Sequence, residues 1–255
     1  MQLSGKTALV SGSSRNIGKA TALAFAREGS DLILVARETG DELEQVAAEC
    51  EALGVRALPL LADVGDHEQV NAMVKKGLDH FGQIDILVCN AAIRPHQPFW
   101  EISYEDWHRV FAVNLHSAFY LAKAVTPGMM ERGHGGSIIA MGGLASVTSQ
   151  PLRAHVVASK TGLYGLIKSM ALELGPYGIR ANLIAVGVID TERRHPEWYP
   201  EADGQPQRAE GVVQSTPLRR AGSPQEVADV ALFLASDNSS FVTGDRIICA
   251  GGMFM

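Results

Sequence analysis

Short, continuous apolar runs alternate along this chain with longer stretches in which apolar residues recur at helical spacing. The runs at 7–11 (TALVS), 32–36 (LILVA), 57–62, 84–89 (IDILVC), 137–141 (SIIAM), 180–186 and 245–249 (DRIIC) read as strands. Between them, 17–28, 41–53 and 69–81 read as helices, stopped by Gly29, Gly54 and Gly82. Ser103, followed by Glu105 and Asp106, opens a further helix that leads towards His116, and 155–175 is a long helical stretch. Ser223-Pro224-Gln225-Glu226 is a helix start, with Ser at the N-cap, Pro at the first position and Glu at the third.

Strands that are apolar on both faces, each followed by a helix, predict an α/β protein whose parallel sheet is covered on both sides. The pattern continues from end to end with no repeat, low-complexity tract or linker. The expected architecture is therefore one doubly wound, Rossmann-type domain over residues 1–255. The irregular stretch 187–217, rich in Pro, Arg and Glu, is too long for an ordinary connection and is expected to be a lid-like insertion.

Composition narrows the function classes. Hydrophobic residues make up 46% of the chain, enough for a large buried core. A net charge of −6 argues against a nucleic-acid partner. No uncharged apolar run reaches the length of a membrane span, and the first residues lack a signal-peptide layout, so a cytoplasmic protein is expected. Cys50, Cys89 and Cys249 are far apart and make no metal-ligand spacing. They read as buried thiols, and no metal site is expected.

The turn 11-SGSSRNIG-18 lies between the first strand and helix, where glycines let a backbone approach a pyrophosphate and the helix N-terminus favours its charge. With the motifs that follow it, this turn resembles the TGxxxGIG turn of the short-chain dehydrogenase/reductase family. Gly12 and Gly18 match the outer glycines, and Asn16 replaces the middle one; Asn tolerates left-handed backbone better than most residues. Asp63-Val64 resembles the family's adenine-contacting pair. 89-CNAA-92 resembles its NNAG motif, keeping Asn90 and Ala91. Gly187 and Thr191 match its PG…T motif, with Val186 in place of Pro, and 243-TGDRIICAGG-252 resembles its terminal segment. The resemblance implies that Gly12, Ser14, Arg15, Asn16, Ile17, Gly18, Asp63, Val64, Asn90, Ala91, Gly187 and Thr191 contact a nicotinamide dinucleotide.

Cofactor choice follows from the end of the second strand. Members that prefer NAD(H) carry an acid there to hold the ribose 2′-hydroxyl. Here the position is Ala36, followed by Arg37, and Arg15 stands in the glycine turn. Two guanidinium groups and no carboxylate at that position favour a 2′-phosphate, hence NADP(H) over NAD(H).

The catalytic set is only partly present. The family's Tyr, the general acid/base on the substrate oxygen, stands four residues before an invariant Lys. In 153-RAHVVASKTGLYGL-166 the Lys is Lys160 and the Tyr position is Val156. In 136-GSIIAMGGLAS-146, Gly143 stands where the family's Ser donates to the substrate oxygen. Asn114 in 113-VNL-115 matches the family's Asn. Asn114 and Lys160, the latter also implied to bind the nicotinamide ribose, remain as catalytic candidates. His155 is added as a candidate acid/base, with Ser146 and Ser149 as replacement donors. Gly143 and Val156 leave space that water or a substrate carboxylate can fill.

The expected substrate wall, 93-IRPHQPFW-100 and 192-ERRHPEWYP-200, mixes Arg, His and aromatic residues. Arg94, Arg193, Arg194 and Trp198 there suit an acidic or aromatic small molecule. The leading expectation is an NADP(H)-dependent carbonyl/alcohol oxidoreductase resembling 3-oxoacyl-carrier-protein reductases, with a rebuilt proton relay. A non-redox lyase, isomerase or hydrolase on the same scaffold stays open. So does an NADPH-binding subunit without catalysis. The resemblance also implies a homo-oligomer, a tetramer or dimer, packed through the helices of 103–130 and 155–175.

Overall fold

The computed structural model describes residues 1–192, 214 and 216–254. Seven strands form: β1 Thr7–Ser11, β2 Asp31–Ala36, β3 Ala57–Leu61, β4 Ile86–Cys89, β5 Gly136–Met141, β6 Ile179–Val186 and β7 Arg246–Cys249. The helices are α1 Asn16–Arg27, α2 Gly40–Glu51, α3 His67–Phe81, α4 Tyr104–Phe111, α5 Ser117–Arg132, α6 Ala154–Leu174 and α7 Pro224–Ala235. The strands make one sheet in the order β3-β2-β1-β4-β5-β6-β7, and every pairing is parallel.

Alternation along the strands explains why both faces are covered. Leu9, Ile33, Leu87, Ile138 and Leu183 face one buried cluster, which includes residues of α3, α5 and α6. Their neighbours Val10, Leu34, Val88, Ile139 and Ile184 face the other, which includes residues of α1, α2 and α7. This is the Rossmann-type α/β architecture that the run pattern predicts. Among the described residues, no helix is long and apolar enough to cross a membrane.

The helix ends follow local chemistry. Asp66 caps α3 by accepting from the amides of Glu68 and Gln69, and Gly82 closes it in left-handed conformation. The Ser103 hydroxyl accepts from the Asp106 amide at 3.0 Å, and Ser223 and Glu226 form a reciprocal capping box. The pattern leading from Ser103 towards His116 does not form a single α-helix. α4 ends at Phe111, a π-helical turn occupies Ala112–His116, and α5 begins at Ser117. The turn lifts Asn114 out of α-helical register so that its side-chain amide reaches the backbone of Ile93.

The strand order reverses between β1 and β4, so the loops at their C-terminal ends open a crevice. The loops after β5 and β6 lie on the same edge. Of the expected lid, residues 193–213 and 215 lie outside the described residues, and with them Arg193, Arg194 and Trp198.

Candidate active site

The glycine turn is built by close approach. Gly12 stands at φ +65°, and a Cβ on Gly18 would lie 2.0 Å from the Gly12 carbonyl oxygen. Asn16 adopts φ +49°, the left-handed conformation that lets it replace a glycine. The Asn90 side-chain amide donates to the carbonyls of Ser11 and Gly12 at 3.0 and 2.9 Å. The Ser11 hydroxyl accepts from the amides of Asn90 and Ala91. β4 thus holds the end of β1 in shape. α1 opens after Arg15, which is extended and gives no side-chain cap. Its first amides are therefore not satisfied by a capping side chain, which suits an incoming phosphate.

A cavity of about 690 Å³ beside this turn is lined by Ser14, Arg15, Asn16, Lys19, Glu42 and Thr191, among others. The Asn16 side chain accepts from the Glu192 amide (3.2 Å) and donates to the Glu192 carbonyl (3.0 Å). This clasps the turn to the segment after β6. Gly187 packs so closely on β7 that a Cβ would lie 2.6 Å from the Ala250 Cα. The Asp63 carboxylate accepts from the Gly65 amide at 2.8 Å, and Val64 is buried. Arg37 is half exposed and pairs with Glu38 at 2.8 Å. An exposed pair of this kind contributes about 0–1 kcal/mol, so the guanidinium can leave it at small cost for a phosphate.

The catalytic half converges on α6. The Lys160 Nζ donates to the Met141 carbonyl at 2.7 Å and is otherwise buried. Among the described residues, that carbonyl is its one hydrogen-bond partner, although an ammonium carries three donors. Burial first, then the nearby Arg94 guanidinium, push the Lys160 pKa down to about 8. Burial pushes the neighbouring Cys89 thiol up to about 12, so it stays protonated at neutral pH. Asn114 Nδ2 donates to the Ser159 hydroxyl at 3.3 Å, and that hydroxyl donates to the Val156 carbonyl at 2.9 Å. The structure therefore links Asn114 through Ser159 to Val156, with Lys160 one turn further along α6.

Val156 is 2% exposed and fills its position with methyl groups. Gly143 stands at φ +69°, ψ 166°, a conformation essentially reserved for glycine. A Cβ there would meet only the Val186 carbonyl oxygen, 3.9 Å away. The space is open, but the backbone differs from what a serine adopts. The Ser146 hydroxyl donates to the Gly143 carbonyl at 2.8 Å and is occupied holding that turn.

His155 is fully buried, and among the described residues neither ring nitrogen has a hydrogen-bond partner. Burial lowers its pKa, opposed by the Asp106 carboxylate and reinforced by Arg109. Both of those neighbours lie on α4. One contact escaped the sequence reading: Arg153 Nε donates to His96 Nε2 at 2.5 Å, joining the loop after β4 to the start of α6. No spacing signals such a pair, because its two residues are 57 positions apart.

A doubly wound parallel sheet with a glycine turn at its switch point defines a Rossmann-type nucleotide-binding protein. The sequence pattern of the enoyl-(acyl carrier protein) reductase family matches residues 12–254, and the chain belongs to the short-chain dehydrogenase/reductase family. It is 35% identical to an L-rhamnose 1-dehydrogenase (NAD(P)(+)) of Sphingomonas, over 99% of this chain and 98% of the relative. It is 37% identical to the 3-oxoacyl-[acyl-carrier-protein] reductase of Thermotoga maritima, over 99% of each. Among solved structures, a short-chain type dehydrogenase/reductase from Mycobacterium marinum superposes with TM-score 0.90 at 35% identity, covering 99% of this chain and 96% of the other. The carveol dehydrogenase of Mycobacterium avium, solved with NAD, gives TM-score 0.92 at 26% identity, covering 99% and 98%. Its family is one of oxidoreductases that use nicotinamide cofactors.

Proposed function

We propose that this protein is an NADP(H)-dependent carbonyl/alcohol oxidoreductase in which Lys160 itself carries the proton that the family's tyrosine would carry. The observation behind this reading is the state of Lys160: buried, lowered to about 8, and with one of its three donors used by the chain. A general acid works best when its pKa lies near the operating pH. Of the two remaining donors, one serves the nicotinamide ribose and one the substrate oxygen. His155, fully buried, takes no part in this reading.

The residues fit the cofactor. The uncapped start of α1 and the left-handed turn at Asn16 suit a pyrophosphate. Ser14, Ile17, Asp63, Val64, Asn90, Ala91, Gly187 and Thr191 would frame the rest of the dinucleotide. Arg15 and Arg37 would hold a 2′-phosphate. The bound nicotinamide supplies the hydride; the chain supplies position, the proton and exclusion of water. Asn114 keeps the loop of Ile93 and the Ser159 hydroxyl in place beside Lys160.

The test is the pH profile of ketone reduction. Reduction needs protonated Lys160, so kcat/KM should be level below pH 8 and fall about tenfold per pH unit above it. Alcohol oxidation should show the mirror image. A flat profile through pH 7–10 would sink the assignment. Calorimetry with NADPH and NADH should show selectivity for NADPH that Arg15→Ala with Arg37→Ala removes. A second reading, an NADPH-holding subunit without turnover, is favoured by the buried, apolar Val156. Tight NADPH binding with no reduction of any ketone would select it. Residues 1–255 are taken as one domain. Exposed apolar residues on α4–α6 (Tyr104, Phe119, Leu172) and beside β7 (Phe241, Ile248) support a homo-oligomer.

A further inference from the structure

The terminal segment 243-TGDRIICAGG-252 follows the family pattern, yet the dinucleotide reading uses none of its side chains. The segment is fixed to β6. The buried Asn182 side chain donates to the Val242 carbonyl at 2.8 Å and accepts from the Asp245 amide at 3.1 Å. The Thr243 hydroxyl accepts from the Ala181 amide at 3.1 Å. From this base β7 begins with Arg246. Among the described residues, no carboxylate forms an ion pair with its guanidinium. Instead, Arg246 Nη1 donates to the Ser146 carbonyl at 2.8 Å, and Cζ stands 4.7 Å from the centre of the Tyr164 ring. A guanidinium can cover a ring with its plane while an edge N–H donates; a lysine ammonium cannot do both.

Both contacts end on supports of Lys160. The Ser146 hydroxyl and amide each donate to the Gly143 carbonyl, at 2.8 and 3.0 Å, and the amides of Val147 and Thr148 donate to the Leu144 carbonyl. This turn continues directly from β5, whose last residue, Met141, supplies the carbonyl that accepts from Lys160 Nζ at 2.7 Å. Tyr164 lies one turn after Lys160 on α6. Arg246 thus ties the strand end that places the lysine's acceptor to the helix that carries the lysine. Lys160 is buried, with that carbonyl as its one partner among the described residues. A shift of strand end against helix therefore moves the ammonium or admits water to it.

We propose that Arg246 is a positioning residue for the reduction: by holding the Ser146 turn against α6, it fixes where the Lys160 ammonium stands relative to the substrate oxygen. This rests on the oxidoreductase reading above. Arg246 acts on the reaction only through the turn and the helix. The effect can still be large, because a displacement of reacting groups by about 1 Å costs up to about 10²-fold in rate.

The experiment compares Arg246→Ala and Arg246→Lys with the wild type. Arg246→Lys keeps the charge and should keep the melting temperature. In both variants kcat for ketone reduction should fall by about ten- to a hundredfold. The calorimetric Kd for NADPH should stay within about twofold, because the glycine turn is untouched. Amides of Ser146, Val147 and Thr148 should exchange faster with deuterium, and those of β1 at the wild-type rate. Methylguanidinium added to Arg246→Ala should restore part of kcat; methylammonium should not. A further readout needs no turnover. Wild-type apo protein should gain stability between about pH 8 and 10.5, as buried Lys160 gives up its proton. Arg246→Ala should lose at least about half of that gain, because water reaches the amine. An unchanged pH slope in Arg246→Ala overturns the proposal whatever the turnover, as does a wild type that shows no gain. Full kcat in the folded variants also overturns it, as does a fall in kcat matched by equal weakening of NADPH binding. A wild type that reduces no ketone sinks the oxidoreductase reading instead; faster exchange and a flattened slope in Arg246→Ala would then still uphold the hold of Arg246 on Lys160.

Discussion

The β1–α1 turn and the β5–α6 segment open on the same edge of the sheet, yet they hold their chemistry in different currencies. The first works through backbone shape: close approach at Gly18, positive φ at Gly12 and Asn16, and carbonyls pinned by Asn90. The second works through particular side-chain atoms. Shape survives a substitution when the new residue can adopt the same conformation, as Asn16 does. A hydroxyl or phenol has no such substitute, and in the mechanism proposed above Lys160 is left as the proton carrier. The nucleotide half can thus drift in sequence and keep its fit, while the catalytic half changes its chemistry with each replacement.

Lys160→Met should separate the two halves most widely. Ketone reduction should fall by about 10²–10⁴-fold, the usual value of a positioned general acid. The fold and the phosphate-binding turn should persist. Stability supplies an independent readout. The folded pKa of Lys160 is lowered by burial to about 8 from its ordinary value of 10.5. Between those values the unfolded chain binds more protons, so the apo protein should gain up to about 3 kcal/mol as pH rises from 8 towards 10.5. Denaturant melts across that range should show the gain in the wild type and its absence in Lys160→Met. Equal pH slopes in both would show that Lys160 is solvated in solution.

Gly18→Ala attacks the other half. The new methyl would meet the Gly12 carbonyl at 2.0 Å and the Asn90 amide at 2.7 Å, and the Gly12 contact is backbone that cannot swing aside. A cost of about 1–3 kcal/mol or more is expected, with loss of NADPH binding. A calorimetric titration with normal affinity would mean that the turn is more plastic than its packing implies.

How much was legible in the sequence divides along the same line. The apolar runs predicted the seven strands and both covered faces, because burial on two sides leaves an unbroken hydrophobic signature. Gly12, Gly18 and Asn16 marked the tight turn after β1 because unusual backbone conformations and close approach restrict residue choice. That Val156 and Gly143 stand where the family carries Tyr and Ser is read from the resemblance of the sequence alone. The π-helical turn at Ala112–His116 was not: it depends on the Asn114 amide finding Ile93 across the loop, a tertiary contact with no periodic trace. The surroundings of His155 were equally hidden. A helix position alone sets it next to Val156, and the influence of Asp106 on it comes through the packing of α6 on α4.

Rebuilding the lost side chains tests how far the catalytic half has moved. From the family pattern alone, Val156→Tyr with Gly143→Ser should restore reduction. The backbone at Gly143, φ +69° and ψ 166°, changes that expectation. A serine there costs about 1–3 kcal/mol, so Gly143→Ser should lower the melting temperature by several degrees. Val156→Tyr alone should therefore gain more ketone reductase activity than the double variant. A double variant that melts like the wild type and is the better reductase would show that this turn relaxes freely.

The smallest effect sharpens the comparison most, because it puts a side chain where shape was said to suffice. Asn16→Gly restores the family's residue and removes the cost of a left-handed Asn, which is below the 1–2 kcal/mol of an ordinary residue. It also removes the two hydrogen bonds to Glu192, at 3.0 and 3.2 Å. Each is exposed and contributes at the low end of about 0.5–1.5 kcal/mol. The added freedom of glycine in the unfolded chain opposes folding by about 0.5–1 kcal/mol. These terms nearly cancel, so the melting temperature should move by no more than a few degrees. NADPH affinity should nevertheless weaken by a few-fold, because the segment through Thr191 and Glu192 loses its tie to the phosphate turn. If affinity is unchanged while stability rises, the clasp is incidental, and the nucleotide half is a matter of backbone shape alone.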